Sequence, residues 1–457
     1  MFTNKFMPGR RWCLTLATVG LFGTAAAAEL APDPQVRRFS LQPFFTTNPD
    51  GYLFEKLLGE GARERYGFSF HGIAQGGVIY NDSSSENVFP SGFLNNDEGF
   101  NLNRVDLYAE RRLTTNIIPR IGPIPRPKPN NVEWGFALNA RYGSDTARTF
   151  GFDDEWGLNE GRDESLLLPQ WYLESYLPVL GGTAFIVGSW FGGTHAEIGL
   201  PVDPPTPFYT HSYSFLYSPA KHVGGLAETI LPTANEFGTL SIGLGIVEGW
   251  SNLQDNNDDL SYLGILRWRS SDFRTWLDVE NIVGNEQSEE GITDQRPFTA
   301  VSSTNDQLFR VYHSVTLNHA VSAKLRFIAN AEYGYQEGGD VVADQNNPPG
   351  FLITQDSEWY GFSFSSHYLA DPNLQLSWRA EWFRDDDGAH FLLPPGNYYS
   401  LTANVAWKPL DNIRIRPEIR YDWYDGPGKP FAGERPAIFS GEKKEQFVFS
   451  FDFTVVF

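Results

Sequence analysis

The sequence is almost without sulfur: one cysteine and two methionines occur in 457 residues. The single cysteine, Cys13, lies in an apolar run near the beginning of the chain, so nothing downstream of it can form an intramolecular disulfide. This excludes the small disulfide-rich secreted domains. Long apolar runs are also lacking, since none approaches the roughly 18 residues that a membrane-spanning helix needs. A helical membrane protein is therefore excluded as well.

Basic charge is scarce. Lysine and arginine total 35 against 56 aspartate and glutamate residues, which gives a net charge of −21. A nucleic-acid-binding protein needs a basic surface, and that class is excluded. Hydrophobic residues make up 41% of the chain, a low share for a large soluble core, whereas aromatic residues reach 15%. An aromatic-rich chain with low average hydropathy is typical of a transmembrane β-barrel, in which only alternate residues face lipid.

The first residues, "MFTNKFMPGRRWCLTLATVGLFGTAAAAEL", predict export. Lys5, Arg10 and Arg11 precede an apolar run from about 12 to 22, and Ala26 and Ala28 fit a small-residue cleavage site. We therefore predict a signal peptide over 1–28. Removing its three basic residues changes the net charge from −21 to −24.

Alternation of apolar and polar residues is the dominant pattern of the chain. The last residues, "QFVFSFDFTVVF", place Phe447, Phe449, Phe451 and Phe453 on one face and mostly polar residues on the other. A period of two indicates a β-strand. Similar segments of the length that a tilted strand needs to cross a bilayer recur along the chain. We predict sixteen strands, with eighteen as the alternative, at 67–80, 100–113, 132–145, 168–179, 182–192, 221–231, 237–250, 259–270, 272–283, 305–318, 321–335, 356–370, 373–386, 397–408, 411–424 and 445–457.

The connections between these strands alternate in length. "SSD", "NHAVS", "ADPN" and "KPLDN" are short and follow even-numbered strands, whereas long polar stretches follow odd-numbered strands. Short turns on one side and long loops on the other are typical of outer-membrane barrels. One connection departs from this rule: "TTNIIPRIGPIPRPKPNN" is long and proline-rich where a short turn is expected, and we predict an extended periplasmic excursion there.

The predicted fold class is all-β: a closed antiparallel transmembrane barrel over 67–457. An open sheet edge is not viable in lipid, which is the reason to expect closure. Residues 29–66 form a lead-in that does not resemble strands, because Tyr52, Phe54, Leu57 and Leu58 have helical spacing. A short helix at the periplasmic mouth or in the lumen and a disordered tail are both compatible with this stretch.

The polar face of the strands predicts a water-filled lumen. The strand "IRIRPEIRYDWY" carries its charges on one face, and other strands repeat the arrangement. Opposed rows of charge in a pore order water and sort polar solutes, whereas any single member of such a row can instead form an ion pair that solvates the wall. The pore-lining candidates are Arg141, Arg274, Arg310, Lys324, Arg326, Arg379, Glu381, Arg414, Arg416, Glu418, Arg420 and Asp422.

A segment at 193–219 is rich in proline and aromatic residues and is too apolar for a freely solvated loop. We expect it to fold into the lumen and narrow it; a rigid external cap is the alternative. Its candidate lining residues are His195, Glu197, Asp203 and His211.

Catalytic and metal chemistry have little support in the sequence. The eight histidines show no metal-ligand spacing, so we predict neither a metal nor another cofactor. Ser212 beside His211 lacks the G-x-S-x-G elbow of a serine hydrolase, and we predict that the chain is not an enzyme. The acidic stretches at 253–259 and 384–388 lack EF-hand spacing and are interpreted as solvated loops.

The stretch "PVDPPTPFYTHSYSFLYSPAKHVGGLAETI" and the following "GTLSIGLGIVEGWSNLQDNND" resemble the signature region of the OmpL-like β-barrel porins. The resemblance implies an outer-membrane diffusion pore and leaves the solute open. The start "GYLFEKLLGEGARERYGFSFHG" also resembles that of the carbohydrate-selective porins in part. The residues that carry the first resemblance are Pro207, Phe208, Tyr209, Ser212, Tyr213, Phe215, His222, Gly224, Gly245, Gly249, Trp250, Asp255 and Asn256.

These observations together predict a porin of the cell outer membrane that conducts small hydrophilic solutes passively. A sugar- or anion-selective channel and a non-conducting structural or adhesion barrel are the alternatives. The predicted partners are outer-membrane lipid and lipopolysaccharide, the barrel assembly machinery and small hydrophilic solutes, with no nucleic acid; a homotrimer is expected by analogy with other sixteen-stranded porins. By resemblance to other outer-membrane proteins, the aromatic Phe457 is the predicted assembly signal.

Overall fold

A computed structural model describes residues 52–82, 99–114, 129–144, 165–191, 207–219, 221–233, 236–250, 257–286, 308–343, 352–388, 394–431 and 441–457. Across these residues, sixteen antiparallel strands close into one barrel in which each strand pairs with its sequence neighbours and β1 pairs with β16. The strands are β1 (Ser69–Asn81), β2 (Gly99–Arg111), β3 (Glu133–Gly143), β4 (Ser165–Leu177), β5 (Thr183–Phe191), β6 (Lys221–Leu231), β7 (Thr239–Val247), β8 (Ser261–Arg269), β9 (Thr275–Asn285), β10 (Phe309–Ala320), β11 (Leu325–Ala343), β12 (Leu352–Asp371), β13 (Leu374–Asp385), β14 (Gly396–Leu410), β15 (Ile413–Asp425) and β16 (Glu445–Val456).

The predicted strand count, closure and antiparallel order are confirmed, and most predicted strand ends lie within a few residues of those observed. The largest difference is in β11, which continues to Ala343 rather than 335. It does so because β11 and β12 form a long hairpin, in which Asp340 is paired with Gln355. The predicted signal peptide at 1–28 lies outside the described residues.

Two short helices precede the barrel: α1 (Tyr52–Leu58) and α2 (Ala62–Tyr66). Helix α2 ends at Gly67, whose φ of 74° is in the left-handed region that glycine adopts readily. The Phe54 side chain of α1 is buried, and its ring lies 6.3 Å from that of Tyr66 and 5.8 Å from that of Phe68. The stretch with helical spacing is therefore helical, and α1 packs against the residues that lead into β1. Among the described residues, no helix has the length and apolar character needed to cross a membrane.

Alternation divides each strand into an inner and an outer face. In β16 the phenylalanines at 447, 449, 451 and 453 are exposed, whereas Gln446, Ser450, Asp452 and Thr454 are buried. The exposed set is aromatic or aliphatic throughout much of the barrel, as a lipid-facing surface requires. The predicted facing of the strands at 132–145, 373–386, 397–408 and 411–424 agrees with the observed burial.

The inner face also carries an apolar cluster that the alternating pattern does not predict. On β5 to β9 the inner positions include Ile186, Leu226, Leu263, Ile265 and Ile282, all of them buried in one apolar cluster. The charged inner residues are more frequent on β13 to β16 and on β2. The inner wall therefore combines this apolar cluster with charged and polar residues, and the charged residues are densest on β13 and β15.

Candidate functional site

Residues 207–219 lie between β5 and β6 and fold against the inner face of β13 to β15. They contain one helical turn, α3 (Tyr213–Leu216), which the Ser212 hydroxyl caps by accepting a hydrogen bond from the backbone N–H of Phe215 at 3.1 Å. We call residues 207–219 the inner segment. Most of its side chains are buried. Its hydrogen bonds to the wall come mainly from β13, β14 and β15.

Glu418 of β15 holds the start of the inner segment. Its carboxylate accepts hydrogen bonds from the backbone N–H groups of Tyr209 and Thr210, both at 2.8 Å, and from the Thr210 hydroxyl at 2.6 Å. Asn404 of β14 donates to the same carboxylate at 3.1 Å and to the carbonyl oxygen of Pro207 at 2.8 Å. The negative charge of Glu418 is thus compensated by three donors of the segment and one of the wall.

Arg420 of β15 holds the middle of the inner segment. Its guanidinium donates to the His211 carbonyl oxygen, to Asp422 at 2.8 Å and to Glu381 of β13 at 3.1 Å. Glu381 also accepts a hydrogen bond from the backbone N–H of Tyr213 at 3.2 Å. Arg420 and Glu381 therefore neutralise each other while each bonds a different part of the segment backbone.

Three tyrosines of the inner segment, four residues apart, bond to the wall. The Tyr209 hydroxyl donates to Asn103 of β2 at 3.0 Å, and the Tyr213 hydroxyl donates to Asp422 at 2.9 Å. The Tyr217 hydroxyl donates to Asp385 at 3.4 Å. Burial and the neighbouring Asp422 carboxylate raise the pKa of Tyr213 well above its ordinary value, so this phenol stays protonated and remains a donor.

Aromatic contacts complete the anchoring of the inner segment. Arg379 of β13 donates to the Thr210 carbonyl oxygen at 3.2 Å, and its guanidinium carbon lies 4.8 Å from the Phe208 ring centroid. The predicted lining residue His211 is buried and stacks on Phe215 with the ring centroids 4.1 Å apart. The other predicted lining residues of this loop, His195, Glu197 and Asp203, lie outside the described residues.

Several other pore-lining candidates form ion pairs on the inner face of the barrel. Arg416 bonds Asp452 of β16 through two nitrogens, at 2.7 and 3.2 Å, and Arg414 lies 3.8 Å from the same carboxylate. Arg141 of β3 bonds Asp106 of β2 at 2.6 and 3.0 Å. These ion pairs bring opposite charges together on the inner face, as the ion-pair interpretation of the sequence predicts for single residues.

Two further pore-lining candidates lie in β10 and β11. Arg310 bonds Gln336 and lies over the Trp250 ring, with 5.2 Å between the guanidinium carbon and the ring centroid. Arg326 lies near the beginning of β11 and is paired in register with the inner-face residue His367.

Two of the pore-lining candidates lie in turns and not in the strands that the sequence predicts for them. Arg274 lies in the turn before β9 and donates to the carbonyl oxygens of Ala320 and Val321. Lys324 lies exposed in the turn between β10 and β11. Both are at even-numbered positions, as the inner residues of β9 and β10 are. They lie in turns, however, where side chains do not alternate between an inner and an outer face.

A second ion cluster lies on β6 to β9, and its members Glu228, Arg267 and Arg269 were not recognised in the sequence. Arg267 of β8 bonds Glu228 at 2.7 Å and Glu280 at 3.0 Å, and Arg269 bonds Asp278. The signal was present, because Arg267 and Arg269 alternate with apolar residues in "YLGILRWR". Asp452 was likewise missed, although it is the only acid on the polar face of the last strand.

The geometry of these residues favours binding and exclusion of solutes over bond chemistry. Ser212, the candidate nucleophile, is buried and caps α3. Within the part of the chain that the structure describes, no group of three or more histidine, cysteine, aspartate or glutamate side chains could hold a metal ion. The described charges on β13 to β15 instead hold a polypeptide segment inside a barrel.

Comparison with known proteins places the chain in a family. Residues 67–457 match the family described as "Putative beta-barrel porin-2, OmpL-like". The chain belongs to this family of porins. Family and fold together make it an outer-membrane channel, which confirms the predicted porin function and location. No curated protein matches the chain in sequence.

Solved structures share the fold at low identity. The outer membrane channel DcaP of Acinetobacter baumannii is 13% identical with a TM-score of 0.51, covering 85% of this chain and 97% of that chain. An anion-selective porin from Comamonas acidovorans is 7% identical with a TM-score of 0.52, covering 85% and 99%. OprB of Pseudomonas putida is 11% identical with a TM-score of 0.52, covering 91% and 100%. At these identities the likeness shows the fold alone.

Proposed function

We propose that this porin conducts small hydrophilic solutes by passive diffusion through a lumen that the inner segment narrows. The observation that carries the proposal is the attachment of residues 207–219 to the inner face of β13 to β15. A segment held there reduces the open cross-section, because it occupies the lumen beside the wall that anchors it. The attachment also favours the lumen over the external cap as the place of this part of the loop.

We further propose weak ion selectivity. Arg416 is paired with Asp452, Arg420 with Asp422 and Glu381, and Arg141 with Asp106. A paired guanidinium and carboxylate present little net charge to a passing ion, since their fields largely cancel beyond a few ångströms. The anion selectivity stated for the Comamonas porin is compatible with an arginine-rich wall, but the paired state of these arginines favours a nearly neutral path here.

Single-channel recording in planar bilayers tests the proposal directly. The purified protein is first shown to be folded by the change in its electrophoretic mobility on heating. It is then expected to give discrete conductance steps. Liposome swelling with sugars of increasing size then measures the cutoff that the inner segment imposes. A folded barrel that never conducts would contradict the proposal and favour a structural or adhesion role, and saturable uptake of one sugar would favour a substrate-selective channel.

Several further expectations belong to the same proposal. Export uses the signal peptide at 1–28, and insertion uses the barrel assembly machinery with Phe457 as its signal. The barrel contacts lipopolysaccharide and lipid on its outer face, forms a homo-oligomer with three copies as the predicted number, and carries out no bond chemistry.

A further inference from the structure

Arg326 differs from the other arginines of the inner face. It is half-buried and lies near the end of β11 that follows the short turn, at an even-numbered position that faces inward. The other inward arginines lie against carboxylates, as Arg267 and Arg416 do, or bond an amide, as Arg310 does. Among the arginines that face inward on the described strands, Arg326 alone forms no hydrogen bond or ion pair with another described residue.

The residues directly beside Arg326 are not acidic. In the register of the strands, Arg326 lies between Ala320 of β10 and His367 of β12. The two ring nitrogens of His367 are bonded to the hydroxyl groups of Ser365 at 3.1 Å and Ser377 at 3.0 Å. The immediate neighbours of the guanidinium group are therefore apolar or uncharged polar groups.

Acidic residues farther along these strands do not compensate the charge of Arg326. β10 contains no acidic residue. On β11, Glu332 lies six residues beyond Arg326 and accepts a hydrogen bond from the Tyr312 hydroxyl at 2.6 Å. On β12, Asp371 lies exposed at the end of the strand, four residues beyond His367. The guanidinium group thus keeps its donors available for a mobile anion.

Asn318 of β10 is a second polar group without a described partner. It faces inward with a relative exposure of 1%, and neither its amide nitrogen nor its amide oxygen hydrogen-bonds to another described residue. In register it lies opposite Ile328, two residues from Arg326, so Asn318 and Arg326 are diagonal neighbours. Diagonal neighbours are about 7–8 Å apart, within reach of long side chains. A buried amide without a partner is destabilising, and its place beside an unpaired guanidinium points to a ligand that both groups bind.

Hydrogen-bond donors predominate at this place. The Arg326 guanidinium has donors only, and the Asn318 amide group adds two. Trp276 of β9 lies opposite Asn318 in register and faces inward, and its indole N–H has no described acceptor either. A donor-rich and positively charged set suits an oxyanion, because a carboxylate or phosphate group can accept two parallel hydrogen bonds from one guanidinium.

The surroundings favour a small organic anion. Ile328 faces inward between Asn318 and Arg326 in the register and offers an apolar contact to a carbon skeleton. Lys324 is exposed in the turn before β11, and Arg274 lies in the turn before β9. These positive charges at the same end of the barrel raise the local concentration of anions.

We propose that Arg326 and Asn318 form a subsite that binds the carboxylate or phosphate group of a small anionic solute at the short-turn end of the lumen. The inference rests on the proposed conduction of small solutes and names one class of them. A bound anion neutralises Arg326, so the subsite retains such solutes without giving the whole wall an excess of positive charge. Paired arginines such as Arg416 and Arg420 do not act in this way, because carboxylates of the wall already occupy their donors.

Current recordings in planar bilayers with competing anions test the subsite. Succinate and inorganic phosphate are added in separate series to a chloride solution at constant ionic strength. At least one of the two is expected to lower the conductance of the parent saturably, and the comparison shows which group the subsite prefers. Arg326→Gln should need at least about tenfold more of that anion for the same decrease, since a hydrogen bond to a charged group is lost, and Asn318→Leu should need severalfold more.

Arg310→Gln is the matched control. It removes the same charge from the inner face of the adjacent strand, near the opposite end of the wall. Arg326→Gln leaves no described carboxylate without its partner, so this variant is expected to fold, which its heat-dependent mobility verifies. The control should keep the anion affinity of the parent. An equal loss of affinity in Arg310→Gln and Arg326→Gln would overturn the location of the subsite.

Failure of the subsite and failure of conduction are distinguishable. A conducting parent that shows no saturable effect of either anion, or an Arg326→Gln variant with unchanged affinity, would overturn the subsite and leave the proposed conduction intact. A folded parent that never conducts would contradict conduction instead. Calorimetric titration of the folded barrel in detergent with succinate and with phosphate then decides about the subsite: binding that Arg326→Gln abolishes would support it, and the absence of binding would overturn it as well.

Discussion

Phe457 closes the barrel against Gly72. The N–H of Gly72 donates to the Phe457 carbonyl oxygen at 2.7 Å, and the N–H of Phe457 donates back to Gly72 at 2.9 Å. The Phe457 ring lies directly over Gly72, where an added Cβ would overlap it. The last residue therefore contributes to the seam between β1 and β16 through its backbone and its ring, and the two contributions can be separated by mutation.

Replacing the Phe457 ring while keeping its backbone tests the predicted assembly signal. In Phe457→Ser both seam hydrogen bonds can still form, so a loss of insertion would come from the missing aromatic ring. We expect severalfold less heat-modifiable protein in the outer membrane at unchanged total expression. Phe453→Ser is the control, because Phe453 is an exposed aromatic residue of β16, the strand that leads to Phe457. Equal insertion of the two variants would contradict a special role of the last residue.

Gly72→Ala should displace the Phe457 ring while leaving Phe457 itself unchanged. The added methyl group must displace the Phe457 ring, which can rotate away, while the backbone pairing of β1 and β16 is retained. If assembly needs only an aromatic residue at the end of the chain, insertion should stay normal and the folded barrel should lose on the order of 1–3 kcal/mol of stability. The thermal midpoint of the heat-dependent gel shift measures that loss.

Glu418→Gln should loosen the inner segment. The two carboxylate oxygens of Glu418 accept from Tyr209, Thr210 and Asn404, and a glutamine has only one oxygen to offer. Its amide group would face a donor, which costs on the order of 1–3 kcal/mol. We expect higher and noisier single-channel conductance. Glu228→Gln is the control, since Glu228 bonds Ser241 and Arg267 on the part of the wall away from the segment. The same change in both variants would contradict the anchoring role.

Arg420 and Arg416 should differ in their effects on conduction. Arg420 bonds the segment backbone at His211, whereas Arg416 bonds Asp452 of the wall. Arg420→Ser is expected to raise conductance by releasing the segment, and losing a buried ion-pair partner costs about 3–5 kcal/mol. Arg416 touches the segment only through the Tyr209 ring, whose centroid lies 5.9 Å from the guanidinium carbon. Arg416→Ser is therefore expected to change conductance less than Arg420→Ser and to shift the reversal potential toward cations, because Asp452 loses its main counter-charge. Identical recordings for the two variants would show that neither assignment is correct.

Much of the barrel wall could be predicted from the alternation of apolar and polar residues, because every second side chain of a strand lies on the same face. This alternation correctly placed Arg416, Glu418 and Arg420 on one inner face. It failed for Arg274, which lies in a turn. It did not reveal that the charged face of β15 holds the aromatic segment, since Thr210 and Glu418 are 208 residues apart and their contact depends on the whole barrel. Nor could it reveal the apolar cluster on the inner face around Ile186, Leu226 and Leu263, because hydrophobic residues there occur on both faces of the strands.

Ion selectivity should depend strongly on salt. Many acidic residues lie in the long connections, such as Asp153, Asp154 and Glu155, whereas the described charges of the wall are largely paired. We predict from the length of these connections that they lie at the channel mouth, where their acids would act over a Debye length of about 8 Å at physiological salt and about 30 Å at 0.01 M. We therefore expect near-neutral selectivity at high salt and cation preference at low salt. Reversal potentials under a fixed salt ratio at the two ionic strengths measure this. A preference that does not change with salt would place the selective charges on the wall instead, with Asp452 and Arg416 as the first residues to replace.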